Sequence, residues 1–190
     1  MQEQKQNELN NFADGVNHPR RLRAILFADV VGFSRLMAED EMDTSVRVGS
    51  FIRKFSKLGK AFNGQLVQTS GDGLFFLFES VVDAVRLATE MQRLSEKENA
   101  DLPDDKQIKF RIGVHLGDVM WVADQYVSDA INVASRIEGY ARNGGISISG
   151  AVYEQVKHKL NLGFEYLGPM ALKNIPDPVE VYRVKLQTQE

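Results

Sequence analysis

From Arg21 onward, short apolar runs alternate with longer stretches of helical spacing. Leu22-Arg23-Ala24-Ile25-Leu26-Phe27-Ala28 has the length of a strand and leads into Val30-Val31-Gly32-Phe33. Ser34 then reads as a helix cap. Leu36, Met37, Val46, Val48, Ile52, Phe55 and Leu58 recur at helical spacing as far as Phe62, where Asn63-Gly64 predicts the stop. Leu66-Val67-Gln68-Thr69 and Leu74-Phe75-Phe76-Leu77-Phe78 flank Ser70-Gly71-Asp72-Gly73, the pattern of two strands joined by a tight glycine turn. Between Ser80 and about Glu98, Val81, Ala84, Val85, Ala88, Met91 and Leu94 mark an amphipathic helix. A polar loop from Asn99 to Gln107 precedes a strand from Ile108 to Leu116, a bend at Gly117-Asp118 and an extended Val119–Val122. A helix from Asn132 to Ala141 ends at Asn143-Gly144-Gly145. After it come a strand at Ile146–Ser149, a short helix near Val152–Lys159 and a hairpin closing on Val179–Val184.

Strand, helix, hairpin, helix, strand is the ferredoxin-like βαββαβ order. The expected fold class is therefore α+β: that core, with a C-terminal helix and hairpin appended, forming an antiparallel sheet covered by helices. Residues 1–20, rich in Gln, Asn, Glu and Lys, read as a flexible tail or the end of a linker. Residues 21–186 read as one domain of 190 in total.

Composition narrows the function. There is no cysteine, which excludes thiol catalysis, thiolate zinc sites and disulfide frameworks and suits a reducing, cytoplasmic setting. With 23 basic against 26 acidic residues the chain lacks the basic surface of a nucleic-acid binder. Its longest apolar runs fall far short of the roughly 20 residues that a membrane-spanning helix needs. His18, His115 and His158 are scattered without metal-ligand spacing, and His115, alternating into a strand, reads as a packed residue.

Two acidic residues stand out. Asp29 interrupts an apolar strand near its end, where an ionised carboxylate is costly to bury without a compensating cation or donor. Asp72 sits at the hairpin tip, and taken alone an Asp between two glycines is an ordinary turn. In a ferredoxin-like sheet the first strand lies beside the hairpin, so the two carboxylates converge. Next to the strand-to-helix turn at Gly32-Phe33 they would hold Mg²⁺ against a triphosphate, with backbone N–H groups at the helix start on the phosphate oxygens. Asn132 and Arg136, four residues apart, share one helix face.

The segment from Ile25 to Ser34, with Asp29 at its centre, resembles the first metal-binding strand of the class III nucleotidyl cyclases, the adenylate and guanylate cyclase catalytic domains. Thr69-Ser70-Gly71-Asp72-Gly73 resembles their second metal-binding hairpin, and Asp129–Glu138 their most specific signature. Leu172-Lys173-Asn174-Ile175 followed by Pro178-Val179-Glu180-Val181-Tyr182 is similar to their closing hairpin. The resemblance implies a homodimer that converts a nucleoside triphosphate to a 3′,5′-cyclic nucleotide and pyrophosphate. It also implies two Mg²⁺ (or Mn²⁺) ions on Asp29, Asp72 and the Val30 carbonyl. Asn132 would orient the ribose, Arg136 would stabilise charge at the α-phosphoryl group, and Lys173 would bind the terminal phosphates, these three coming from the partner chain.

This sequence departs from the family at the base. Where cyclases acting on ATP usually carry Lys it has Gln68, and at the partner position, usually Asp or Thr, it has Gln125. An amide both donates and accepts, so Gln68 would serve adenine N1 in one orientation and guanine N1–H in the other. Guanylate cyclases usually place Glu there, which Gln only partly mimics, so ATP stays ahead with GTP close behind. The competing reading is a non-catalytic cyclase-like module that binds nucleotide, or only dimerises, to regulate something else.

Overall fold

The computed structural model describes residues 19–186, so the tail reading falls almost wholly outside the described residues. β1 (Arg21–Val30) is followed by α1 (Phe33–Glu39), α2 (Glu41–Ala61), β2 (Gln65–Ser70), β3 (Gly73–Phe78) and α3 (Val81–Asn99). After a 3-10 turn at Asp104–Lys106 come β4 (Phe110–Val122), β5 (Gln125–Val127), α4 (Asp129–Glu138), β6 (Ile146–Ser149) and α5 (Gly150–Val156). β7 (Gly163–Met170) and β8 (Val179–Lys185) close the domain. The sheet runs β2-β3-β1-β4-β6-β8-β7, with β5 paired to β4 off this path. All pairings are antiparallel except β4 with β6. The first four strands have the ferredoxin-like order and the α+β class is as expected, with helices covering the sheet.

Strict alternation along β1 assigns its residues to two faces. Ala24, Leu26, Ala28 and Val30 enter the main core, with Phe51 and Phe55 of α2, Leu87 and Met91 of α3, and Phe110 and Ile112 of β4. Ile25 faces the other way, into a smaller cluster with Phe75, Leu77, Val119 and Ala130 and Ala134 of α4. Asp29 belongs by parity to this second face, so it does not interrupt the main core. The helix α4 lies unusually close to β4: a Cβ at Gly113 would sit 2.5 Å from the Glu138 nitrogen and 2.6 Å from the Ala134 oxygen. Backbone cannot yield at such a distance, so Gly113 is what lets α4 dock.

Several boundaries differ from the expectation. The single helix predicted between a Ser34 cap and Phe62 is two. Asp40 stops the first, its N–H bonding to the Leu36 carbonyl, and caps the second, its Oδ1 accepting from the Asp43 N–H at 3.0 Å. Of the acidic run Glu39-Asp40-Glu41, Asp40 and Glu41 thus cap and open the long helix, as their charge suits, whereas Glu39 ends α1. Ser34 is not the cap of α1; Gly32 occupies that position in the left-handed region (φ 66°). β4 runs straight through Gly117-Asp118 and returns as β5, and α4 begins at Asp129, capped by Ser128, three residues before the predicted start. Among the described residues, no helix is long and apolar enough to cross a membrane.

Candidate active site

Antiparallel pairing of β1 with β3 sets Ala28 opposite Leu74, which brings the end of β1 beside the β2–β3 turn. Gly71, at φ 59°, makes that turn tight. Asp29 and Asp72 both line one open cleft of about 330 Å³, together with Gln68, Tyr126, Ser135 and Glu138. The carboxyl of Asp29 is pushed up to about 6, first by burial and then by the charge of Asp72 and a hydrogen bond with it. The Arg111 guanidinium and the Val30 backbone act in the opposite direction. Two like charges forced together at the end of a strand make a site that favours a cation.

Arg111 is the cross-strand partner of Asp29 in the β1–β4 register. Its Nε lies 2.8 Å from Glu138 Oε1. Glu138 is itself pushed up to about 7, mainly by burial and further by Asp29 and Asp72, while Arg111 opposes the shift. Neither Arg111 Nε nor Glu138 Oε1 has an aligned hydrogen-bond partner, so their contact is electrostatic rather than directional.

The α4 helix carries two stripes. Ile131, Ser135 and Glu138 face the chain's own cleft. Asn132, exposed, and Arg136, half-buried, occupy the adjoining stripe and do not line it. Arg136 Nη1 is buried without a hydrogen-bond partner. Lys173 is exposed in the β7–β8 connection, where its neighbour Leu172 anchors in a cluster with Val133 and Ile137 of α4 and Val181. Of the residues singled out in the sequence, Asp29, Asp72 and Gln68 therefore share one cleft, while Asn132 and Arg136 lie on α4 outside its lining and Lys173 follows the Leu172 that packs on α4. Val30 buries its side chain in the main core, Gly32 is exposed, and Phe33 packs its ring against that core. Gln125 is exposed on β5 opposite Val122, and the cleft is instead lined there by Tyr126, whose hydroxyl donates to Gln65 Oε1 at 3.1 Å.

Tyr126, Arg111, Ser135 and Glu138 are additions that the sequence reading missed. Only the last two carried a signal, lying inside the Asp129–Glu138 motif; Arg111 and Tyr126 join the site through strand register and a hairpin.

The carboxylate pair suits a hard divalent cation in kind. Among the described residues no group of three or more His, Cys, Asp or Glu side chains is arranged to hold a metal. Two carboxylates alone suit Mg²⁺ or Mn²⁺ shared with phosphate oxygens better than a closed protein cage. A larger hollow of about 530 Å³, lined by Gln92, Ser95 and Asn99, lies elsewhere and has no converging carboxylates.

Residues 19–186 match the family described as the adenylate and guanylate cyclase catalytic domain. A Rhizobium meliloti (strain 1021) protein named "Putative adenylate cyclase 3" is 38% identical over 164 residues, covering 86% of this chain; the aligned part is 28% of that protein's length. The crystal structure of an adenylate/guanylate cyclase/hydrolase from Silicibacter pomeroyi superposes with a TM-score of 0.83 at 34% identity, over 88% of this chain and 98% of that one. The adenylyl cyclase CyaB from P. aeruginosa, at 22% identity, shares the fold with a TM-score of 0.79 over 92% of this chain and 98% of its own. With its motifs in place on this fold, the chain belongs to the adenylate and guanylate cyclase catalytic domain family, the class III nucleotidyl cyclases.

Proposed function

We propose that this domain converts ATP, with GTP as the competing substrate, to the 3′,5′-cyclic nucleotide and pyrophosphate at sites shared between two copies of the chain. One observation carries the reading: Asp29 and Asp72 crowd one cleft, while Asn132 and Arg136 sit on the adjoining stripe of α4 and do not line it. A single protomer would thus hold two incomplete halves, and a twofold dimer would join each half to its complement. Trp121 at 49% exposed, Val127 at 42% and Leu22 at 60% leave apolar surface on and beside the β4–β5 hairpin, which suits that contact.

Asp29 and Asp72, with the Val30 carbonyl, would hold two Mg²⁺ or Mn²⁺ ions, which supply neutralisation of the triphosphate and acidify the ribose 3′-hydroxyl when bound. The partner's copy of Asn132 would orient the ribose so that its 3′-oxygen lies in line with the α-phosphorus and pyrophosphate leaves. Arg136 has a buried Nη1 without a hydrogen-bond partner; such a donor suits charge that builds on the α-phosphoryl oxygens in the transition state. Lys173 would meet the terminal phosphates, and the main chain at Gly32-Phe33 would approach them from the other protomer. Gln68, in the cleft with the carboxylates, and Gln125 are assigned to the base. A cytoplasmic setting follows from the nucleotide substrate and the cysteine-free chain.

The test is complementation. Asp72→Ala and Arg136→Ala proteins should each be inactive, and mixing them should recover cyclic nucleotide formation, since one site of the mixed dimer keeps every group. A mixture that stays inactive although its subunits exchange would contradict the shared site. Binding of ATP by the parent protein without pyrophosphate release would favour the non-catalytic module.

A further inference from the structure

Three charged groups of one chain surround Asp29, and only one of them is a cation. Arg111 stands directly across from Asp29 on the neighbouring strand and the same sheet face; side chains at such positions are near enough to pair. An arginine there is the natural internal counter-ion for a half-buried aspartate, and a guanidinium forked onto that carboxylate would occupy the oxygens that a divalent ion needs. In this structure Arg111 turns to Glu138 instead, with Nε 2.8 Å from Oε1. Glu138 leaves only 13% of its side chain exposed and comes from the last position of α4. That helix reaches so far over β4 only because residue 113 is glycine.

We propose that Glu138 is a positioning residue that holds Arg111 off Asp29 and so keeps the Asp29–Asp72 pair free to take a divalent cation. The inference rests on the cyclase reading above and extends it to the metal's competitor inside the chain. Arg111 and the metal ion compete for the same carboxylate, and Glu138 biases the competition by giving the guanidinium a second negative charge to pair with. The groups facing Glu138 are Arg111 from β4, Asp29 from β1 and Asp72 from the β2–β3 turn.

The two members of the pair consequently act with opposite signs. Removing Glu138 releases Arg111 onto Asp29 and weakens metal binding. Removing Arg111 takes away the competitor and leaves a third carboxylate beside the site. An ion pair that only fastens α4 to the sheet would instead suffer from either loss, because each leaves a buried charge unpaired.

The experiment titrates Mn²⁺ into purified protein and reads the free ion by its electron paramagnetic resonance signal, alone and with 3′-deoxy-ATP, which lacks the attacking hydroxyl. Glu138→Gln should weaken Mn²⁺ binding about 10-fold or more, in the range found when groups supporting a metal's ligands are removed. Arg111→Gln should bind at least as tightly as the parent, and the double variant should return to the parent's range. In turnover, Glu138→Gln should raise the half-activating Mn²⁺ concentration far more than it lowers the rate at saturating Mn²⁺. Parent-like binding in Glu138→Gln, or weakening in Arg111→Gln equal to that in Glu138→Gln, overturns the proposal. If Glu138→Gln does not fold, Arg111→Gln decides alone: equal or tighter binding supports the proposal, weaker binding overturns it. Asp72→Ala separates the two levels. Unchanged Mn²⁺ binding there removes the metal assignment itself, whereas lost binding there beside parent-like binding in Glu138→Gln removes only the role of Glu138.

Discussion

On the side of the sheet covered by α2 and α3, Phe55 and Phe51 meet the Phe110 ring at 4.9 and 5.2 Å, edge to face. Buried polar groups there pair with backbone: Ser95 Oγ donates to the Ile108 carbonyl at 3.0 Å, and Asn99 both donates to that carbonyl and accepts from the Ile108 N–H. On the side covered by α4 the count reverses. Among the described residues, four of the five buried side-chain atoms without a hydrogen-bond partner are Arg111 Nε, Arg136 Nη1, Glu138 Oε1 and Ser147 Oγ. Arg136 and Glu138 belong to α4, and Arg111 and Ser147 lie on the sheet beneath it. One face is finished as a core; on the other, Arg111 Nε and Glu138 Oε1 meet as an ion pair without an aligned hydrogen bond, and Arg136 Nη1 and Ser147 Oγ have no partner among the described residues. Buried polar groups are normally paired, so a concentration of unpaired ones marks a surface set up for binding at some expense of stability.

The contrast breaks most visibly at Phe55, which is fully buried. Phe55→Ala should cost about 3–5 kcal/mol by urea unfolding, a large part of an ordinary domain's stability, and activity should fall only with the folded fraction. Asp72→Ala is the converse on the other face. It should abolish cyclic nucleotide formation with no loss of melting temperature at neutral pH, since it removes a negative charge that crowds Asp29. If Asp72→Ala destabilised the fold as Phe55→Ala does, the two faces would not differ in kind.

A smaller effect is expected at the cleft rim, where Gln68 is exposed beside the carboxylates. On the proposed assignment to the base its amide would re-pair with either purine, so the parent's specificity constants for ATP and GTP should lie within roughly two orders of magnitude, less than about 3 kcal/mol. Gln68→Lys should raise the preference for ATP and Gln68→Glu the preference for GTP, read as cyclic AMP and cyclic GMP formed at matched substrate concentrations. An unmoved ratio in both variants would place Gln68 away from the base.

The smallest effect sharpens the comparison within the α4 face itself. His115, whose Nδ1 lies 2.8 Å from Ser149 Oγ, is pushed down to about 4 by burial. Between pH 6.5 and about 4 the unfolded chain takes up a proton that the folded chain refuses, so this group's contribution falls as pH falls, by roughly 2 kcal/mol at pH 5. Asp29 and Glu138, raised to about 6 and about 7, act oppositely: the folded state protonates first, and their penalty is relieved on acidification. In metal-free buffer, His115→Gln should therefore gain stability relative to the parent on going from pH 7 to pH 5, measured by urea unfolding at both. An identical change in parent and variant would show that His115 stays protonatable in the fold.

Much was legible in the residues themselves. An apolar run of strand length marked β1, the runs on either side of a glycine turn marked the β2–β3 hairpin, helical spacing marked α3, and the turn at Gly71-Asp72 announced itself by residue type. Those signals are local, arising from the length and spacing of apolar runs and from turn geometry that few residues tolerate. The β4–β5 hairpin escaped because its turn is Ala123-Asp124, both at positive φ (46° and 59°), in place of the usual Asn-Gly. Spacing alone put Asn132 and Arg136 on one stripe of a helix. Which stripe faces the chain's own cleft was decided by the docking of α4 onto Gly113, a long-range contact between backbones. The same docking brings Glu138 to Arg111, 27 positions earlier in the chain, and strand register sets Arg111 against Asp29. The sequence by itself determined which elements form and which acidic residues sit at their ends, because neighbours along the chain decide those. Only the tertiary structure decided which charges meet, because an electrostatic contact depends on distance in space, and strand register and helix docking set that distance.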